Sequence, residues 1–441
     1  MTRKHVVVIG AGFSGVAAAA AITRRKSARV TLIGRDGFGP GLAYSTKDKS
    51  HLLNVRASNM SAYADKPHDF ADWLKSKTGA APTTFAARGQ FGDYVRSVLK
   101  RAQRTAMFGA GMKRIRGDAV ACRAGSGWWR VELNCGKSIE ANAIVLALGN
   151  QSVSQPGVFA DANIAMLNPW DADKIRRIGK GDVLLLGAGL TMIDAALSLA
   201  ERSRTRTIYA LSRRGQTPRM HLDPPQPPPS TPLELPPRLS QALHEFRREV
   251  RAMAERGEPW QLAVDRMRSA TPTLWRALSI QDQRRFLRHL RVWWDVHRHR
   301  AAPEIFARAQ ELQASGKLRV LAGEVVSAEK SGKLYEVFHR QRGSLARHRL
   351  EVAAVINCTG SNMDFTRSND PLIEQLLAEG LARAHPTGIG FDLDDNARVI
   401  DARGQAQASV YAIGPVSQGA FWESTAVPEI RVRAAAIAAL F

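Results

Sequence analysis

At 441 residues, with 44% hydrophobic and 23% charged side chains, the chain is long enough for two or three domains, and its composition argues against a disordered, fibrous or membrane protein. Its formal net charge of +23 would draw anions, yet much of the excess is arginine along predicted helices such as 247–268. With no stacking-aromatic platform and no zinc-ligand spacing, no nucleic-acid partner is expected. Cys122, Cys135 and Cys358 are the only cysteines and form no CxxC pair, which argues against a disulfide framework, a zinc ribbon or a dithiol centre and fits a reducing cytoplasm.

His5 to Ile9 is a β-branched run that gives way at Gly10 to an alanine-rich stretch, read as strand, tight turn and helix. The spacing Gly10, Gly12, Gly15 has a mechanical cause. The first glycine allows the turn, the second lets backbone approach a pyrophosphate, and the third lets helix and strand pack closely. A basic start before an apolar run also suits a signal peptide, but these glycines sit where a strand turns into a helix, so no targeting or membrane-spanning segment is expected. The next strand, 29–37, should end in an acid for the adenosine ribose. Gly34 and Arg35 stand there instead, so either Asp36 takes the role from a shifted position or backbone and water hold the ribose.

In 39–46, Gly39, Pro40 and Gly41 form a turn with unhindered backbone N–H groups, and Asn54 offers donor and acceptor amid Leu52, Leu53 and Val55, or else caps a turn. Residues 115–150 then run from Gly117 and Asp118 into a strand with Val120, through a hairpin, to an apolar strand closing at Gly149. Around Gly187 the first pattern recurs with Gly189 and Thr191, but Met192 occupies the place of the third glycine. The strand after it ends in Ser212, Arg213 and Arg214, which suit a 2'-phosphate and favour NADPH over NADH; the alternative is a solvated arginine pair.

The proline cluster 217–239 reads as a rigid connector rather than a ligand for a proline-binding domain. Helices follow. In 279–300, Phe286, Leu287, Leu290, Trp293 and Trp294 recur at helical spacing behind an N-cap Ser279. His289, His297 and His299 have no carboxylate or cysteine at ligand spacing, so they are expected to be solvated basic side chains with no metal. Residues 321–362 repeat the 115–150 pattern and close at Gly360, so the chain reads as two related nucleotide-binding halves. The end, 409–441, reads as strand, turn at Gly414 and helix, with Trp422 and Glu423 either lining a pocket or packing the core and capping the helix.

Taken together, 39–46, 51–61, 69–74, 187–194, 211–221 and 421–438 resemble the FAD/NAD(P)-binding two-dinucleotide-binding-domain flavoproteins, the family that includes a bacterial FAD-dependent urate hydroxylase. The resemblance implies an α/β fold with two Rossmann-like domains in glutathione-reductase-like arrangement and a helical insertion. Its parts are an FAD domain at 1–170 and 355–441, an NAD(P)H domain at 171–215 and 316–354, and the insertion at 216–315. It implies FAD on Gly10, Gly12, Gly15, Asp36, Gly41, Tyr44, Asn54, Val120, Gly149 and Gly414, and NADPH on Gly187, Gly189, Thr191, Ser212, Arg213, Arg214 and Gly360. Related flavoproteins usually carry an aspartate after the glycine at 414; here Pro415 stands in its place.

The activity implied is hydroxylation of a small organic substrate with molecular oxygen through a flavin C4a-hydroperoxide. Electron transfer without oxygenation, or a nucleotide-bound sensor, are the alternatives. No catalytic residue is read from the sequence beyond the candidates Asn54, Trp422 and Glu423. A homo-oligomer or protein partner would use 216–315. The stretch 168–171 lies at the domain junction, but the FxGxxxHxxxW signature of Baeyer-Villiger monooxygenases is absent.

Overall fold

The computed structural model describes residues 3–109, 111–151, 155–203, 205–227, 231 and 233–441; within the proline cluster 217–239, residues 228–230 and 232 lie outside the described residues. The β-branched run forms β1 (Lys4–Ile9), buried from its second residue onward. The alanines that follow make α1 (Phe13–Arg25), slim enough to lie close to the sheet, and β2 (Ala28–Gly34) pairs parallel to β1. After α2 (Asp69–Thr78) and α3 (Arg88–Met107), β3 (Met112–Arg116) adds to the outer edge of β2. A separate antiparallel sheet, β4 (Ala119–Ala124), β5 (Trp129–Leu133) and β6 (Ser138–Ala141), comes before β7 (Ala143–Leu146) returns beside β1.

Short helices α4 (Gly157–Asp161) and α5 (Ala172–Arg176) lead to a second unit. It opens with β8 (Val183–Leu186), α6 (Leu190–Ala200) and β9 (Ile208–Ser212). Then come α7 (Leu239–Glu255), α8 (Trp260–Ala277), α9 (Ile280–Arg285), a π-helical turn over Phe286–Leu290, and α10 (Arg291–Arg298). Ser279 caps α9 by accepting the Asp282 N–H at 3.2 Å, as the sequence suggests.

Next, α11 (Pro303–Ala314) leads into β10 (Leu318–Ser331), whose first part pairs parallel with β9 and whose second part pairs antiparallel with β11 (Leu334–Gln341). Strands β12 (Arg347–Val352) and β13 (Ala354–Asn357) complete a six-stranded sheet in the order β12-β11-β10-β9-β8-β13. The chain then returns to the first sheet through α12 (Pro371–Ala378), β14 (Arg398–Ile400) and β15 (Ala406–Ala412), giving β14-β15-β7-β1-β2-β3, and ends on α13 (Val427–Ala438) against α1.

Three details differ from the sequence reading. Ile305 and Ala309 of α11 pack with Ile208 and Ala210 in the core of the second sheet. Parallel β9 and β10 require such a crossover helix, so the part of the insertion outside the second sheet's core stops near Ala302 and not at 315. Strand β13 crosses the expected boundary at 354/355 by pairing with β8. The antiparallel layer of the second unit is continuous with its parallel strands through the long β10, whereas that of the first is a separate sheet.

Candidate functional site

Gly10 has φ +104°, and a Cβ there would overlap the Ala147 carbonyl, so only glycine satisfies both the turn and the approach of β7. A Cβ on Gly15 would overlap the Gly10 carbonyl, because α1 sits directly on the turn it follows. Gly12 is the N-cap of α1 without a side-chain cap, and no acid lies in the first helical turn. The second loop comes close to it: Gly39 N–H donates to the Ala11 carbonyl at 2.8 Å, and a Cβ on Gly41 would stand 3.1 Å from the Gly12 Cα. The result is a backbone cradle at the positive end of a helix, a ready anion site.

That cradle opens into a cleft of about 970 Å³. Gly10, Gly12, Asp36, Gly41, Tyr44 and Gly149 all line it. Tyr44 lies edge-on to Phe91, with ring centroids 4.6 Å apart. At the end of β2, where an acid was expected, Arg35 reaches Asp118 at 2.8 Å and Asp370 at 3.2 Å, which draws both carboxylates to the cleft wall. Asp36 is exposed beside them with no ion pair among the described residues, leaving its carboxylate free to accept hydroxyls. Val120 occupies the β-bulge between Ala119 and Ala121. Gly414 lies behind the cleft against Ser14, and its carbonyl accepts the hydroxyls of Ser417 at 2.7 Å and Ser424 at 3.1 Å; Pro415 forms the adjoining wall. Asn54 lies away from this lining, and its backbone carbonyl accepts Nε2–H of His221 at 2.8 Å.

The second turn repeats the first up to its third position. Gly187 has φ +105°, and a Cβ there would overlap the Cys358 carbonyl. Gly189 caps α6 with nothing within 4 Å of an added Cβ, and the same open space surrounds Gly360 at φ +91°. Met192 is fully buried in the core of the second sheet, so this helix stands where a side chain fits. Thr191 is half-buried in the first turn of α6.

The three residues expected to face a 2'-phosphate diverge. Ser212 Oγ accepts the Gly215 N–H at 3.0 Å, and the Arg214 guanidinium lies 6.0 Å over the Trp293 ring. Arg213 is exposed with no ion pair among the described residues.

A buried polar seam ties the units together. Asp194 on α6 meets Arg88 from the start of α3 at 2.9 Å, and Arg88 Nε donates to the Leu52 carbonyl at 3.2 Å. Burial pushes the Asp194 carboxyl upward against the pull of Arg88. Beside it, His51 Nε2 hydrogen-bonds Ser198 Oγ at 2.9 Å, and Ser198 donates to Asp48 at 3.2 Å. The one sequence signal for this seam was an acid on the otherwise uncharged helix 190–200.

Trp422 and Glu423 belong to another place. Trp422 is 3% exposed, stacks on Trp275 with centroids 4.9 Å apart, and lies edge-on to Phe286 at 5.4 Å. It walls an aromatic cavity of about 1020 Å³ in the insertion. Glu423 pairs with Arg298 at 3.1 Å and accepts Trp294 Nε1–H at 2.9 Å. Burial opposes its charge, yet Arg298, His299 and the indole N–H hold its carboxyl below the usual range. It does not cap α13, whose N-cap is Ala426.

His289 is exposed, as expected, but His297 and His299 are half-buried. His297 Nδ1 binds the Trp293 carbonyl at 2.7 Å, and burial lowers the His299 pKa; helix packing explains both better than solvation. Among the described residues no three His, Cys, Asp or Glu gather as a metal site, and no helix is long and apolar enough to cross a membrane.

A family model described as FAD-NAD(P)-binding matches residues 7–151. No curated protein matches the chain. Among solved structures, L-lysine 6-monooxygenase from Pseudomonas syringae has a TM-score of 0.68 at 17% identity, and reduced ornithine hydroxylase (PvdA) from Pseudomonas aeruginosa 0.66 at 17%; each comparison covers 99% of this chain and 98% of the other. Kutzneria sp. 744 ornithine N-hydroxylase with reduced FAD, NADP+ and L-ornithine has 0.65 at 14%, with the same coverage. Identities this low carry the fold: an α/β protein with two Rossmann-like sheets, the fold that holds reduced FAD and NADP+ in the Kutzneria structure.

Proposed function

We propose that the chain is a FAD-dependent, NADPH-using monooxygenase that hydroxylates a small organic molecule with molecular oxygen. One observation carries this reading: a Cβ-free cradle at an uncapped helix N-terminus opens into a cleft of flavin-nucleotide size, while a second, more open turn lies across a shared buried seam. Bound there, FAD would accept hydride from NADPH and activate oxygen. The protein's task is to hold, orient and shield.

Gly10, Gly12 and Gly15 shape the pyrophosphate cradle, and Asp36 accepts ribose hydroxyls from its shifted position. Gly41, Tyr44 and Gly149 line the remaining length, and Val120 offers backbone freed by its bulge. On the second unit, Gly187, Gly189, Thr191 and Gly360 border the NADPH phosphates. Arg213 takes the 2'-phosphate while Arg214 leans on Trp293. The three free thiols suit a reducing compartment such as the cytoplasm.

Purified protein should be yellow and should consume NADPH faster when a substrate is added, with one atom of 18O2 in the product. The family resemblance makes urate the first compound to try. Steady NADPH consumption that yields only peroxide across purines, amines, ketones and acids would replace this reading with an NADPH oxidase or electron carrier. Failure to retain FAD would end both.

A further inference from the structure

The insertion holds a cavity that the nucleotide sites do not use. Along α7, Leu239, Leu243, Phe246 and Val250 form one apolar stripe, facing Val264, Met267 and Trp275 of α8 and Trp293 and Trp294 of α10. Its volume of about 1020 Å³ is that of a small-molecule site. Among the described residues, no aspartate, glutamate, asparagine or glutamine lines it.

The polar groups of the wall are mostly spent within the protein. Thr271 donates to the Met267 carbonyl at 2.8 Å, Trp275 Nε1 to the Gly419 carbonyl at 2.7 Å, and Trp294 Nε1 to Glu423. Trp422 Nε1 is different: it is buried and has no partner among the described residues. At the rim, Arg247 and Arg251 stand one helical turn apart, exposed and without an ion pair among the described residues. Trp422 walls this cavity, and Thr425, three residues on, walls the flavin-sized cleft.

We infer that this aromatic cavity binds an apolar carboxylate, an extended acyl or aryl acid, with its carboxylate at Arg247 and Arg251 and its apolar body against Trp275 and Trp422. Among the described lining residues an ammonium would meet three arginines and no acid, and a polar purine would find the single unpaired indole N–H of Trp422 for its several polar groups. The inference goes beyond the monooxygenase reading, and rests on it only where the bound acid is taken as the substrate.

The test uses the FAD-loaded full chain, with dodecanoate and 2-naphthoate as probes and dodecanol, dodecylamine, ornithine and urate as comparators. Tryptophan fluorescence and calorimetry report binding. Both carboxylates should bind at least about tenfold more tightly than dodecylamine, ornithine or urate. The double variant R247A/R251A should weaken dodecanoate by about tenfold and leave dodecanol unchanged. Val264→Trp, which fills the cavity, should abolish binding of both while FAD content and anaerobic flavin reduction by NADPH persist.

Equal binding of the amine, no binding of either carboxylate, or unchanged affinity in V264W would overturn the inference. So would a dimer that V264W disperses in a chain that binds no probe, since the groove would then seat a second copy. Tight carboxylate binding that never accelerates NADPH consumption would uphold the site and refute its role as the substrate pocket.

Discussion

The third glycine of the first turn offers a sharp test of how the flavin cradle is built. In Gly15→Ala, the new Cβ would overlap the Gly10 carbonyl oxygen and stand 2.9 Å from its carbon, well inside the usual carbon–carbon contact of about 3.5–4.0 Å. Both sides of that contact are backbone, so neither can rotate away; α1 must lift off β1 or the turn must open. Overpacking of this kind costs about 1–3 kcal/mol, sometimes more, and here it falls on the atoms that form the pyrophosphate cradle. Met192 at the matching place of the second turn provides the control, because that position already holds a side chain. G15A should therefore lose FAD on gel filtration and unfold at lower urea by at least about 1 kcal/mol. Met192→Gly should lose about 2–5 kcal/mol through its cavity while retaining FAD. Because a bound cofactor adds its own stabilisation, apo and loaded proteins must be compared at matched FAD concentrations. A G15A protein that keeps stoichiometric FAD and the parent urea midpoint would refute the reasoning.

Three further outcomes follow from the same geometry. Arg213→Ala should raise the KM for NADPH about tenfold or more and that for NADH little, with Arg214→Ala milder because its guanidinium rests on Trp293; equal effects on both coenzymes in steady-state assays would exclude the phosphate role. Arg88→Ala should cost about 3–5 kcal/mol in urea denaturation by leaving Asp194 buried and unpaired, and R88A/D194N should recover much of it; no recovery would mean that the pair matters only for packing. Burial, together with Arg300, depresses the pKa of His221 to about 3, whereas the unfolded chain takes up a proton below about 6.5. This contribution is complete above pH 6.5 and is lost as pH falls toward 3, so lowering pH from 7.5 to 5.5 should cost about 1.4 kcal/mol that His221→Gln does not lose. Parallel pH profiles for the two proteins would disprove it.

What the sequence determined by itself is local. Gly10 and Gly187 were legible because a positive φ and a carbonyl packed against Cα leave no choice of residue, and the strand-turn-helix pattern around each is a single short stretch of chain, Lys4–Arg25 and Val183–Ala200. The buried apolar runs, β-branched in β1 and leucine-rich in β8, named both sheets for the same reason. Tertiary structure decided whatever needed a partner from far along the chain. Asn54 looked ready for the flavin but lies away from the cleft lining, where its backbone carbonyl accepts His221, and Glu423, read as either a pocket wall or a cap, neutralises Arg298. Arg88 gave no sign of its role until α3 met Asp194 across the seam between the units. Trp422 could have packed in any core; only the meeting of α7, α8 and α10 with the turn after Gly414 made it the wall of a cavity. The backbone geometry of a turn is set by neighbours in sequence, whereas the company a buried charge or ring keeps is set by the fold, because burial makes sense only once distant segments have excluded the water between them.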